Sequence, residues 1–160
     1  MALTADPEGG REAMESGRPD TSSLAEALLR YVNARSAALI EARRVLRINE
    51  LDARALLFVA DHPGTRPGML SSYLGISSAG VTTLIDRLVE RGAVRRDVDA
   101  ADRRVNRLTL TIDLAAAPWS ELTRFDDAFN VAANAGDLDA GRQFATTLDA
   151  FTDAATAASR

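Results

Sequence analysis

The chain has 160 residues, of which 46% are hydrophobic, and a formal net charge of −4 at pH 7. A chain of this size can bury one core, so composition predicts a single domain with a flexible tail. The sequence has no apolar run of about twenty residues and no signal core, which argues against a membrane span and favours the cytoplasm. Cysteine is absent and His62 is the one histidine, so we expect no disulfide, no metal site and no cofactor.

The basic residues are distributed unevenly along the chain. Between residues 83 and 110 there are seven arginines and five carboxylates, so this segment is net basic in an acidic chain. The overall charge argues against a nucleic-acid binder, whereas a local basic segment favours one. All basic residues are arginines, which suits bidentate contacts to phosphate or guanine but is equally open to a codon-usage explanation.

The N-terminal half predicts a leader followed by three helices. Residues 1–20 are rich in Gly, Pro, Glu and Asp without apolar periodicity, and we expect a disordered leader. A long helix is predicted over residues 22–46 from its broad apolar face. Asn49 and Asp52 have capping-box spacing at the start of a second helix, which Pro63 and Gly64 end. A third, short helix is predicted from Pro67 to a stop at Gly75.

The next helix carries the main functional prediction. Ser77 or Ser78 caps it, and Gly92 ends it. Its spacing directs one set of residues toward the core: Val81, Leu84, Ile85, Leu88 and Val89. The same spacing directs another set toward solvent or a ligand: Ser78, Ala79, Thr82, Thr83, Asp86 and Arg87.

The remaining sequence predicts a hairpin and two further helices. Residues 93–97 and 104–111 alternate like strands around a tip at 99–103. A helix is then predicted from Pro118 and Trp119 through Val131, broken at Gly136, and Asp137 caps a last helix. The predicted fold class is therefore mainly α with a small β wing: a winged helix-turn-helix lobe with N- and C-terminal helices.

These motifs together resemble the MarR family of winged-helix transcription regulators. The matching stretch runs from about Leu46 to Thr111. It includes Gly75-Ile76-Ser77, Val81-Thr82, Asp86-Arg87-Leu88, Gly92, Asp102-Arg103-Arg104 and Leu108-Thr109-Leu110. The resemblance implies one domain over 21–160, with a winged-helix lobe at about 48–111 and dimerisation helices at about 22–46 and 117–158.

The resemblance also implies roles for individual residues. The helix that starts at Ser77 would enter the major groove of double-stranded DNA. The residues implied to contact DNA from this helix are Ser77, Ser78, Ala79, Thr82, Thr83 and Arg87, although Arg87 could instead be a structural ion partner. In the wing, Arg104 would reach the minor groove, Asp102 would orient it, and Arg103 would contact phosphate. For Asp102 and Arg104, the alternative is a surface salt bridge that stabilises a hairpin.

Dimerisation and effector binding follow from the same resemblance. A single winged helix contacts few base pairs, so a homodimer on a palindromic operator is expected. Relatives commonly bind a small aromatic effector between the dimer helices and the winged lobe. The candidate pocket residues are Tyr31, Arg35, Phe58, His62 and Trp119, each of which could equally be a core or surface residue.

The sequence thus predicts a DNA-binding transcription regulator, most simply a ligand-responsive repressor. An enzyme is disfavoured because no nucleophile lies beside a base and no Gly-rich phosphate loop or metal-ligand spacing occurs. The rival is a degenerate winged-helix module that binds proteins and has weak or no DNA readout. The acidic net charge favours this rival, as do Gly80 and Thr83, since relatives often have Ser or Thr at the first position and a basic residue at the second.

Overall fold

A computed structural model of the chain describes residues 23–98 and 106–159. The helices are, in chain order, α1 (Ser23–Leu46), α2 (Glu50–Asp61), α3 (Pro67–Leu74), α4 (Ser78–Glu90), α5 (Arg124–Asn134) and α6 (Leu138–Ala158). A short 3-10 helix, Trp119–Leu122, precedes α5. The strands β1 (Val94–Val98) and β2 (Asn106–Leu110) form an antiparallel pair. The fold class predicted from the sequence, mainly α with a small β wing, is confirmed.

The chain divides into two compact units. The first ends at Ala34, within α1, and the second begins at Arg35 and contains all the remaining elements. The predicted leader lies outside the described residues.

One hydrophobic core lies among the elements of the second unit. Its most deeply buried large side chains come from α2, α3, α4 and β2: Leu56, Leu70, Ile85, Leu88 and Leu108. Ala42 and Leu46 join this core from the end of α1, and Leu122 joins it from the 3-10 helix. Burial of these side chains fixes which face of α4 points outward.

The helix boundaries predicted from capping signals are confirmed. The Asn49 side chain accepts from the backbone N–H of Asp52, and the Asp52 side chain accepts from the backbone N–H of Asn49, which completes a capping box. Pro67 opens α3 and Gly75 ends it with φ +67. Asp137 caps α6.

Two predictions about the helices are wrong. Val89 is exposed rather than buried, because it lies at the edge of the stripe formed by Val81, Leu84, Ile85 and Leu88. The helix predicted to run continuously from Pro118 is interrupted at Thr123, whose backbone N–H donates to Ser120 O at 3.3 Å in a 3-10 turn.

Candidate nucleic-acid interface

Helix α4 begins at a serine cap and exposes one small polar face. The Ser77 side chain accepts a hydrogen bond from the backbone N–H of Gly80 at 3.2 Å, which satisfies one of the free N–H groups at the helix start. Val81, Leu84 and Ile85 are buried on the opposite face. The serine cap and the core packing therefore fix the first turns of α4, and the polar face of the helix is exposed to solvent.

The exposed face carries small side chains. Ser78, Ala79, Thr82 and Thr83 are all exposed, as the sequence predicts. The Thr82 hydroxyl donates to the carbonyl of Ser78 at 2.8 Å, and the Thr83 hydroxyl donates to that of Ala79 at 3.2 Å. Because no long side chain stands on these turns, a duplex can approach the helix closely, and the hydroxyl oxygens remain able to accept hydrogen bonds.

The turn between α3 and α4 is fixed by local hydrogen bonds. The backbone N–H of Gly75 donates to Ser71 O at 3.0 Å. The Ser71 hydroxyl then donates to Ile76 O at 2.7 Å, across the turn. Gly75 takes the left-handed conformation that this geometry requires, with φ +67. Helices α3 and α4 thus form a helix-turn-helix with a defined corner.

The base of the wing, formed by β1 and β2, is hydrogen-bonded to the loop between α2 and α3. Val94 pairs with Leu110 and Val98 pairs with Asn106. Buried Thr65, between α2 and α3, accepts a backbone hydrogen bond from the N–H of Leu108 at 2.8 Å. The base of the wing therefore has a fixed position beside the helix-turn-helix.

Charged side chains link the wing to α4. Arg96 of β1 donates to Asp86 of α4 at 2.6 Å. Asp97 accepts from Thr109 at 2.7 Å and lies 3.3 Å from Arg95. Asp86 thus neutralises a wing arginine, an arrangement that sequence spacing did not indicate. The predicted tip residues Asp102, Arg103 and Arg104 lie outside the described residues.

Arg87 has a buried partner. Its guanidinium donates to the carboxylate of Asp52 through Nε at 3.1 Å and through Nη2 at 2.5 Å. The Asp52 side chain is 3% exposed, whereas that of Arg87 is 40% exposed. The hydrogen bond to Asp52 raises the pKa of Arg87 above its ordinary value. Sequence spacing left open a structural ion pair for Arg87 but could not identify Asp52 as its partner, because the two residues are 35 positions apart on different helices.

The candidate pocket residues are only partly brought together. Phe58 stacks on His62, with ring centroids 4.3 Å apart, and on Tyr73, with centroids 4.2 Å apart. Arg35 forms a bidentate ion pair with Asp126, at 2.7 and 2.8 Å. Tyr31 and Trp119 are each half-buried.

Tyr73 was missed as a member of this aromatic cluster. Phe58 lies in α2 and Tyr73 in α3, so no helical spacing relates the two residues. The guanidinium of Arg54 also lies over the Tyr73 ring, 5.3 Å from its centroid.

Within residues 23–98 and 106–159, no three His, Asp or Glu side chains converge as metal ligands would. None of the helices in the same ranges combines the length and apolar character that crossing a bilayer requires.

Comparisons with known proteins find the same helix-turn-helix and wing in other proteins. Residues 48–105 match the family model described as MarR family. No curated protein sequence matches the chain. RV1404 from Mycobacterium tuberculosis is 19% identical, with a TM-score of 0.61 over 87% of this chain and 97% of that one.

Two further solved structures show the same fold. A MarR-like transcriptional regulator from Thermotoga maritima, tm0816, is 21% identical, with a TM-score of 0.57 over 88% of this chain and 98% of that one. A variant of MepR from S. aureus, bound to an oligodeoxyribonucleotide, is 16% identical, with a TM-score of 0.54 over 82% of this chain and 97% of that one.

The matched segment begins at Ile48, just before α2, and covers α3, α4 and β1, which are the elements that build the candidate interface. Residues 48–105 thus match the MarR family model, and the chain as a whole shares the winged-helix fold of these solved structures.

Proposed function

We propose that the chain is a transcription regulator that binds palindromic double-stranded DNA as a homodimer. The observation that carries the proposal is the exposed, small and polar face of α4 beside an arginine-bearing wing. On this proposal the face led by Ser77 and Ser78 enters the major groove, with Ala79, Thr82 and Thr83 along it. In the predicted wing tip, Arg103 contacts phosphate, and Arg104, oriented by Asp102, reaches the minor groove.

The apolar surface of the C-terminal helices supports the homodimer. Helix α6 has no buried residue, and Phe144 and Phe151 are 48% and 54% exposed. Together with half-buried Leu148, these residues share one helical face. A face of this kind favours a protein partner, and a second copy of the chain would place two winged lobes on two half-sites.

The proposal includes regulation by a small aromatic effector that lowers DNA affinity. Phe58 and His62, which stack on each other, supply the aromatic surface that such a ligand needs, and Arg35 and Trp119 of the same unit are further candidates. On this view the protein acts by binding rather than catalysis, and repression is its simplest output. Adding small aromatic acids to the protein–DNA complex tests this part, and release of DNA is the expected result.

DNA binding is tested by selecting bound fragments from a genomic pool and measuring affinity as a function of salt. We expect affinity to fall steeply with salt, and Arg104→Ala to bind roughly tenfold more weakly with a reduced slope. Arg142→Ala, on the exposed surface of α6, is the matched control and keeps both values. Equal binding by wild type and Arg104→Ala would remove the wing from the proposal.

The second candidate function is a protein-interaction module without DNA readout. It is favoured by the absence of a basic side chain among residues 78–83 and by the net charge of −4. If the protein has this function, the selection of bound fragments from the genomic pool will recover no enriched fragment even in dilute buffer.

A further inference from the structure

The corner between α1 and α2 is a fixed piece of backbone. Helix α1 ends at Leu46, and Arg47 then takes the left-handed conformation, with φ +52. The N–H of Ile48 donates to Arg43 O at 3.1 Å, and the Ile48 side chain is buried. Asn49 and its capping box start α2 directly afterwards. We refer to residues 46–52 as the α1–α2 corner.

Two arginines at the C-terminal end of α4 bind this corner: Arg87 lies in the helix and Arg91 is its C-cap. Arg87 binds Asp52 through two nitrogens, at 3.1 and 2.5 Å. Arg91 donates from Nη2 to Arg47 O at 2.7 Å and from Nη1 to Leu46 O at 3.4 Å. Because the two arginines are four positions apart, they lie on the same side of α4, one turn apart.

Both arginines provide hydrogen-bond partners to polar groups that would cost free energy if they were left without one. The Asp52 carboxylate is almost fully buried, and a buried charge requires a charged, hydrogen-bonded partner. The carbonyls of Leu46 and Arg47 lie at the end of α1, where helical partners run out and a cation is favoured by the helix dipole. If Arg87 turned to a DNA phosphate, it would leave the carboxylate of Asp52 buried without that partner.

We infer that Arg87 and Arg91 are positioning residues, which set the orientation of α4 on the α1–α2 corner and do not neutralise phosphate. The inference rests on the proposed DNA-binding function, and of the two roles that the sequence left open for Arg87 it selects the structural ion partner. Asp52 then becomes necessary for DNA binding although it carries a negative charge and is buried.

The test compares Asp52→Asn, Arg87→Gln and their double variant in duplex affinity measured across salt concentrations. For a positioning pair, each single variant weakens binding by a similar factor, roughly tenfold, and the double variant is no weaker than either. The salt slope stays at the wild-type value, because no phosphate contact is lost. Arg91→Ala behaves in the same way.

A phosphate contact at Arg87 gives a different pattern and would overturn the inference. Arg87→Gln would then lower the salt slope by about one, and Asp52→Asn would leave affinity unchanged or raise it. Val59→Ala, which truncates a buried side chain of α2, serves as a destabilised control. It separates loss of stability from loss of orientation, because it should keep the wild-type affinity and slope below its unfolding temperature.

Amide hydrogen exchange tests the positioning role of the two arginines without DNA, so a failure of this inference can be told apart from a failure of the proposed DNA-binding function. If wild type binds no duplex, the DNA-binding proposal fails, and exchange alone then tests the pair. Faster exchange in the last turns of α4, in both Asp52→Asn and Arg91→Ala but not in Val59→Ala, supports the positioning role of Arg87 and Arg91. Unchanged exchange in both variants overturns it.

Discussion

At the scale of single residues, the turn of the helix-turn-helix depends on the backbone conformation of Gly75. Its φ of +67 is disfavoured for residues with a Cβ, although nothing lies within 4 Å of the Cβ that alanine would add. We predict that Gly75→Ala lowers the free energy of unfolding by about 1 kcal/mol, purely through backbone strain. Thermal or urea unfolding measures the change.

Gly68 provides a matched control in the same short helix. It lies inside α3, its φ is not in the left-handed region, and its added Cβ would also meet nothing. We expect Gly68→Ala to raise the free energy of unfolding by about 0.5–1 kcal/mol, because alanine is the better helix former. Shifts of the same sign in both variants would refute the assignment of strain to Gly75.

At the scale of elements, the cap of α4 allows stability and DNA binding to be separated. Ser77 stabilises the helix by accepting from Gly80, and aspartate is an equally good cap that also favours the helix dipole. We predict that Ser77→Asp unfolds at the wild-type temperature or slightly above it. Its duplex affinity nevertheless falls roughly tenfold, since a negative charge now faces phosphate.

Ser77→Ala is the complementary variant. It loses the cap and about 1 kcal/mol of stability but introduces no charge, so its DNA affinity should fall less than that of Ser77→Asp when measured well below its unfolding temperature. If Ser77→Asp bound DNA as tightly as wild type, the start of α4 would not face the duplex.

The elements themselves could largely be predicted from the sequence. Caps and stops such as Asn49, Pro67, Gly75 and Asp137 are local signals, and the structure confirms the boundaries that they predict. The break at Thr123 could not be predicted, because it depends on a single 3-10 hydrogen bond within an otherwise helical pattern.

Side-chain pairing across elements was harder to predict than the elements. The periodicity of α4 identifies which residues point away from the core, and Ser78, Thr82 and Thr83 are exposed as predicted. Periodicity does not reveal the tertiary partner of a charged residue. The partners of Arg87 and Arg96, which are Asp52 and Asp86, depend on how α2, α4 and β1 pack together.

At the scale of the whole molecule, the proposed dimer depends on the apolar face of α6. We predict that Phe144→Asp combined with Phe151→Asp converts the dimer to a monomer, because two charges would have to be buried in the interface. Sedimentation equilibrium measures the mass. Thr146→Asp, on the opposite face of α6, is the control and should remain dimeric.

The same variants connect assembly with DNA binding. The monomeric double variant should lose most of its affinity for a two-half-site duplex, because each lobe then binds alone. A double variant that stayed dimeric would place the interface elsewhere on the molecule.

The most direct test of paired DNA recognition changes the spacing of the two half-sites in a selected duplex. Inserting about five base pairs between them rotates one half-site to the opposite side of the helix, out of reach of a two-fold dimer. We predict that this insertion lowers the affinity of the wild-type protein to that for a single half-site. Inserting a full turn of about ten base pairs should restore part of the original affinity. Equal affinity for the original and half-turn duplexes, or no binding to any duplex in dilute buffer, would contradict the account.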